Sequence, residues 1–358
     1  MLRQLRLLLL PIGFIYGIVT AVRNWLFDRG VLLQKSYNKP VIVLGNLTVG
    51  GTGKTPHAGY IIDLLQPHFK VALVSRGYMR DTKGLIVTGE QSTAKEIGDE
   101  PMLLKQKFTD LTVVVSEKRV LGVDQCFSEG VDSEVVVLDD AYQHRYVKPG
   151  LSILLIDYHR PIWNDWMLPA GNLREFTCGK KRADMVIITK CPSDLSEAKA
   201  QLIERRLKLS INQSVFYTSM VYGNLYPLFK ADNQEISDAI AKDDGVIALS
   251  AIASPQPFID FLKGLSNEVV EMSYPDHYAL TSKDMAEVEI RFNGLSNARK
   301  WIVTTEKDAV KLRELNNLPA QIVSFIRVLP IEPEVLFNQS HRFKYQILHY
   351  VRQSLSNQ

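Results

Sequence analysis

The sequence predicts an α/β protein with a core built on a mostly parallel sheet, a smaller second α/β domain and an apolar N-terminal helix. Three observations carry this. After Pro40, short runs of β-branched and aliphatic residues alternate with longer helical stretches, as strands buried between two helical layers must. The alternation fades near Tyr222 and resumes near Gly245. Residues 7–22, LLLLPIGFIYGIVTAV, carry no charge.

A chain of 358 residues suits about two domains. With 46% apolar and 23% charged residues it can pack a core, which excludes wholesale disorder. A net charge of +3 argues against a dedicated nucleic-acid binder and fits an anionic substrate or membrane surface. The cysteines, Cys126, Cys178 and Cys191, are odd in number and form no C-x-x-C, so neither a disulfide framework nor a zinc site is expected. A reducing compartment follows.

The apolar segment is short for a bilayer span, which wants roughly 20 residues, and Pro11, Gly13 and Gly17 loosen it. Its basic start resembles a signal peptide, but no convincing cleavage site follows. A buried core helix is the plain alternative. The reading adopted is a membrane-associated helix over residues 1–28, with Arg3, Arg6, Arg23 and Arg29 at lipid headgroups.

A core domain is expected over residues 29–221. Its strands are 41–45, 70–75, 111–116, 134–138, 151–156 and 185–189, with helices at 55–65, 100–108 and 117–128. Residues 222–238, punctuated by Gly223, Asn224 and Pro227, read as a linker or hairpin. The second domain, 239–358, is expected to hold strands at 245–250, 268–272, 301–304 and 321–328. Its helices fall near 257–264 and 283–292, and a closing helix runs from Glu334.

The first strand runs into NLTVGGTGKTP, residues 46–56. The general phosphate-binding loop is G-x-x-x-x-G-K-[ST], and its first position here holds Thr48. Gly50, Gly51 and Gly53 still let backbone amides turn inward on phosphate oxygens. Thr48, Val49, Gly50, Gly51, Thr52, Gly53, Lys54 and Thr55 are therefore the expected ATP-binding residues. Lys54 would reach the β/γ-phosphates, and the Thr55 hydroxyl would hold Mg²⁺. A P-loop needs an acidic partner at a neighbouring strand end. The run EVVVLDD supplies Asp139 and Asp140, either of which could ligate the metal.

Gly98-Asp99-Glu100-Pro101 reads as a helix start, and Asp276-His277-Tyr278 as a loop carrying a carboxylate–imidazole pair. Clusters at 75–78, 143–145 and 168–175 hold arginines suited to phosphate. Thr189-Lys190-Cys191-Pro192 lacks the Asp of a T-K-x-D guanine reader, so GTP specificity is set aside.

These motifs occur in one order: NLTVGGTGKTP, SRGY (75–78), GDEP (98–101), DDAYQHR (139–145), LPAGNLRE (168–175), DHY (276–278) and TEKDAVK (305–311). The ordered set resembles the tetraacyldisaccharide 4′-kinase family from the N-terminus to about residue 311. That family's loop has the form N-x-x-x-G-G-x-G-K-T-P, which accounts for Thr48. The resemblance implies a P-loop NTPase-like core and a smaller domain joined by a two-stranded linker. It implies transfer of the ATP γ-phosphate to the 4′-hydroxyl of tetraacyldisaccharide 1-phosphate, giving lipid IVA, at the cytoplasmic face of the bacterial inner membrane. It implies Asp99 as base, assisted by His277, with Lys54 on the transferring phosphate. Asn46, Arg76, Tyr78, Gln143, His144, Arg174 and Glu175 are the expected acceptor-binding residues. Three positions depart from the family pattern: Ala141-Tyr142 replaces Gly-Phe, Asn172 replaces Pro, and Tyr278 replaces a second His. The partners expected are the lipid A disaccharide precursor and the inner leaflet, with no nucleic acid and no obligate protein partner. The competing reading is a P-loop NTPase acting as a membrane-associated regulatory switch.

Overall fold

The computed structural model describes residues 6–229 and 239–357. The linker expected at 222–238 therefore lies outside the described residues from 230 onward. The first sheet is formed by β1 (Val41–Asn46), β2 (Val71–Ser75), β3 (Ile86–Val87), β4 (Thr112–Val115), β5 (Val135–Leu138), β6 (Leu151–Asp157), β7 (Met185–Thr189) and β8 (Ser214–Tyr222). With β14 (Ile331–Val335) its order is β14-β8-β7-β6-β1-β5-β2-β4-β3, parallel except at the two edge pairs.

Strand alternation divides the core between the two faces of this sheet. Ile42, Leu44, Leu73, Val137 and Leu155 point to one face, where helix α2 (Lys54–Leu65) adds Ile61, Ile62 and Leu65. Val41, Val43, Val74, Leu138 and Ile156 point to the other, covered by α5 (Arg119–Phe127) through Val123 and Cys126 and by α6 (Glu197–Leu207) through Ala200 and Leu207. Both faces are dry, so the strands read as unbroken apolar runs.

The second sheet has the order β11-β10-β12-β13-β9. Its members are β9 (Tyr226–Pro227), β10 (Gly245–Ser250), β11 (Glu268–Ser273), β12 (Lys300–Thr305) and β13 (Ile326–Leu329), with α7 (Gln256–Leu265), α8 (Ser282–Gly294) and α9 (Glu306–Glu314) against it. Two passages join the sheets side by side. β8 pairs antiparallel with β14, Gly223 donates its amide to Pro330 at 3.0 Å, and β9 pairs antiparallel with β13.

The C-terminal expectations need correction. The chain does not stay with the second sheet after β13. It returns as β14 to the first, and the closing helix α11 (Ser340–Ser356) buries Phe343, Ile347 and Val351 in the core of the first sheet. The i, i+4, i+8 spacing announces a buried face but not which core it meets. Helix does not begin at Glu334, because Pro333 sits in β14, the edge strand, where a missing amide is tolerated. The strand expected at 321–328 is shorter: a helical turn, α10 (Ala320–Val323), follows Pro319 and precedes β13.

At the N-terminus α1 spans Leu10–Asp28, beyond the apolar run. Gly13 and Gly17 do not loosen it. They are buried with Thr20 and Phe27 on the face that meets the body of the protein, and a Cβ on Gly17 would stand 2.6 Å from the Phe176 ring. The opposite face, with Ile12, Phe14, Ile15, Val19, Val22 and Trp25, is exposed. Between helix and body, Arg145 bonds Asp28 at 2.7 Å and the Asn24 carbonyl at 2.8 Å.

Because α11 belongs to the first core, Phe343→Ala is expected to cost about 3–5 kcal/mol of stability. Urea unfolding measures this, and a loss below about 1 kcal/mol would contradict the assignment of Phe343 to that core.

Candidate active site

The chemistry-bearing segments converge at the carboxyl ends of the parallel strands, where open α/β sheets hold ligands. β1 enters the glycine-rich loop, with Gly50 and Gly53 at φ of 98° and 82°. Gly53 takes the left-handed N-cap conformation of α2, so Lys54 and Thr55 open the helix with its orphan amides. Pro56 has no amide to orphan. Thr48 bridges antiparallel to Leu173, and Val49 donates to the Asn172 carbonyl at 2.8 Å, which pins the front of the loop to the 168–175 segment.

Beneath the loop, Asn46 donates to the Thr52 hydroxyl at 2.8 Å, and the Thr189 hydroxyl donates to the Thr52 carbonyl at 2.9 Å. Lys190 donates to the Gly51 carbonyl and pairs with Asp157 at 3.1 Å. The Thr189-Lys190 dipeptide thus braces the phosphate loop. His57 bonds the Gly53 carbonyl at 2.7 Å and the Thr218 hydroxyl at 3.0 Å, and burial pushes its imidazole down to about 4.

The two aspartates at the end of β5, beside β1, have different surroundings. Arg174 grips Asp140 with two bonds of 2.8 and 3.2 Å, and Lys54 stands 3.7 Å away. Burial opposes the Asp140 charge, but Lys54 and then Arg174 outweigh it and hold the carboxyl below its usual range. Asp139 is buried, and its Oδ1 has no hydrogen-bond partner among the described residues. Burial, then the Asp140 charge, push Asp139 up to about 6. An orphaned carboxylate oxygen beside a phosphate loop fits a hard divalent cation. Among the described residues no three His, Cys, Asp or Glu side chains form a metal cage, which suits Mg²⁺ taking most of its ligands from phosphates and water.

Around the aspartates lie Arg76, exposed after β2, and Arg119, a residue not singled out from the sequence. Arg119 is buried and bonds the Ser116 carbonyl at 2.7 Å. Burial draws its guanidinium down to about 10 against the pull of Asp139 and Asp140. Burial, then Arg119 and Arg76, push His144 to about 4, so it offers hydrogen bonding rather than charge near neutral pH.

Two expected acceptor-binding residues lie below the surface instead. Glu175 is buried, its carboxylate taken by Arg182 at 2.8 Å, Asn24 at 2.6 Å and Gln143 at 3.1 Å. Asn46 is buried under the loop. Glu175 is occupied by these neighbours, whereas the Asn46 Oδ1 has no hydrogen-bond partner among the described residues; local sequence does not distinguish a strand-end side chain facing down from one facing out. Gln143 links the layers, donating to the Asn46 carbonyl at 2.8 Å and accepting from Arg174 at 3.3 Å.

Asp99 opens α4 (Asp99–Lys107). His277, at φ 62° after β11, places its Nδ1 at 3.2 Å from Asp99 Oδ2, so residues of the two sheet units meet. The edge of the Tyr78 ring faces His277, with centroids 6.0 Å apart. Lys307 and Lys311, i and i+4 on α9, also reach this pair: Lys311 stands 2.9 Å from Asp99, and Lys307 stands 3.2 Å from His277 Nε2 and 3.6 Å from Glu100. The sequence offered TEKDAVK without a role for either lysine. Their spacing on one helical face was the available signal.

The profile of the tetraacyldisaccharide-1-P 4′-kinase family, LpxK, matches residues 5–352. A tetraacyldisaccharide 4′-kinase of Bacteroides thetaiotaomicron is 45% identical over 357 residues, covering 98% of this chain and 94% of the relative. One from Flavobacterium johnsoniae is 41% identical, covering 98% of each. Among solved structures, the "apo" form of LpxK from Aquifex aeolicus in complex with ATP superposes with a TM-score of 0.74. It is 30% identical, covering 98% of this chain and 99% of that one.

The Asp139 environment has a cost in stability. A carboxyl whose folded pKa is raised disfavours its own ionisation, fully above about 6 and not at all below the unfolded value. Asp139→Asn is expected to stabilise the protein on the order of 1 kcal/mol or more at pH 7.5, and most of the gain should be lost by pH 4. Denaturant titrations at the two pH values measure it. A gain that persists at low pH would contradict this origin.

Proposed function

The chain belongs to the tetraacyldisaccharide-1-P 4′-kinase family, and from that premise we propose how its residues carry out the transfer. The reaction moves the γ-phosphoryl group of ATP to the 4′-hydroxyl of tetraacyldisaccharide 1-phosphate, forming lipid IVA and ADP. Asp99 takes the hydroxyl proton as the oxygen bonds to the γ-phosphorus and the bond to the bridging oxygen breaks. His277 holds Asp99 in place from the second unit. The loop amides and Lys54 bind the phosphates and offset the charge that gathers on the leaving oxygen. Asp139 and the Thr55 hydroxyl would hold Mg²⁺, which supplies charge neutralisation between the β- and γ-phosphates. Asp140, already committed to Lys54 and Arg174, orients the lysine. Arg76, Tyr78, His144 and Arg174 border the acceptor side.

The observation that carries the reading is the 3.2 Å contact of Asp99 with His277, made at the strand-end face that also presents Lys54. The exposed apolar face of α1 supports placement on the inner leaflet, where the acyl chains of the substrate stay in the bilayer while the sugar reaches the site. The helix has a mean hydropathy of 1.3, and 22% of that stretch is buried in the protein.

The test is phosphoryl transfer from labelled ATP to tetraacyldisaccharide 1-phosphate in mixed micelles. Wild type should make the bisphosphorylated lipid, and Lys54→Ala should not. Asp99→Ala, folded, should lose about 100-fold or more in kcat. Lipid-independent ATP hydrolysis without lipid product would favour the regulatory-switch reading. Ile15→Asp combined with Val19→Asp should release the protein from anionic vesicles in a flotation assay. Unchanged flotation would remove α1 as the membrane contact.

A further inference from the structure

The Asp99–His277 pair does not stand alone. The groups facing it are Tyr78 from the loop after β2, Glu100 from α4, Asp276 from its own loop, and Lys307 and Lys311 from α9. Lys307 Nζ lies 3.2 Å from His277 Nε2, 3.2 Å from Asp276 Oδ1 and 3.6 Å from Glu100 Oε1. An ammonium group has three donors and no acceptor. A hydrogen bond at that distance therefore requires Nε2 to accept, and an imidazole that accepts at Nε2 carries its proton on Nδ1. That proton points at Asp99 Oδ2, 3.2 Å away. Lys311 Nζ is directed at the same oxygen, at 2.9 Å. Both cations of α9 thus act on the pair, and the contacts of His277 and Lys311 with Asp99 fall on Oδ2 and not on Oδ1.

Resting on the kinase reading, we propose that Lys307 and Lys311 are positioning residues for phosphoryl transfer. Lys307 fixes the Nδ1–H tautomer of His277, and Lys311 anchors Asp99 through Oδ2 so that Oδ1 receives the acceptor's proton. Helix α9 is suited to the task. Val310, between the lysines, is fully buried in the core of the first sheet, and Glu314, one turn beyond Lys311, accepts the Ala94 amide at 2.6 Å. The helix face that docks the second unit onto the first is the face that carries both lysines, so docking and tautomer selection are one event.

The direct test needs no substitution in the lysines. Wild-type protein labelled with nitrogen-15 at histidine is examined by long-range proton–nitrogen correlation, with His277→Gln for assignment. The expected pattern is the Nδ1–H tautomer for His277. An Nε2–H pattern or an imidazolium at neutral pH overturns the proposal. In the kinetic arm, Lys307→Met and Lys311→Met should each lower kcat about tenfold or more, with the KM for ATP changed by less than about twofold, because the phosphate loop is untouched. Lys307→Arg, which keeps a donor, should retain the tautomer and part of the activity, whereas Lys307→Met should lose the tautomer signature. Wild-type kcat in both methionine variants overturns the proposal. If a methionine variant does not fold, the wild-type spectrum still decides. The spectrum is also independent of the acceptor: the Nδ1–H pattern with no lipid product would sink the kinase reading and leave the tautomer assignment standing.

Discussion

The half-buried Asp140 carboxylate is the interaction on which the site depends. It lies between Lys54 of the phosphate loop and the Arg174 fork of the 168–175 segment. From Arg174 the network runs through Gln143 to Glu175, and from Glu175 to Asn24 on α1 and to Arg182. One continuous set of ion pairs and hydrogen bonds therefore connects Lys54 of the glycine-rich loop to α1. Networks of this kind add little net stability, since desolvating the charges costs about as much as pairing them returns. Their contribution is geometric. Lys54 is held in place at the start of α2, and α1 is fixed in register with the glycine-rich loop.

Asp139, the neighbouring residue, shows the complementary case. Asp140 is satisfied by cations of the protein itself; Asp139 is buried with an oxygen that nothing among the described residues satisfies. Two adjacent carboxylates in one environment would repel each other equally, but the fold separates their roles by giving one its partners and withholding them from the other. The sequence left the choice between them open because Asp139-Asp140 reads symmetrically in one dimension. The distinction arises from Arg174, thirty-odd residues away in the chain and adjacent in space.

What was legible in the sequence was local. The strands from 41 to 189 were readable because burial on both faces leaves unbroken aliphatic runs, and the phosphate loop because glycine, lysine and threonine must follow a strand at fixed spacing. What was not legible was pairing. Residues 331–335 look like the close of the second unit and form the edge of the first sheet; α11 shows its apolar face but not its destination. The same limit hid the depth of Asn46 and Glu175, whose polarity suggested ligand contact and which both lie buried. It also left Lys307 and Lys311 without a role, since their partners arrive from residues 99, 100 and 277.

The contacts between the two units explain why the Asp99–His277 pair can be split across them. Around the apolar anchor Val310, the docking contacts among the described residues include charged and polar pairs: Lys107 with Glu306 at 3.1 Å, Arg313 with Gln106 at 2.6 Å, and Lys311 with Asp99. Interfaces of this composition resemble transient protein–protein contacts more than a shared core, and they permit the partners to separate without exposing a large apolar area. The two passages between the units, 222–228 and 326–331, are paired to one another, so one paired ribbon joins the second unit to the first. On the mechanism proposed above, a base that depends on His277 and the lysines would be assembled only where the two units meet. On that proposal the split site would tie the catalytic geometry to the docking of the two units, which would disfavour loss of the γ-phosphate to water before the acceptor is in place.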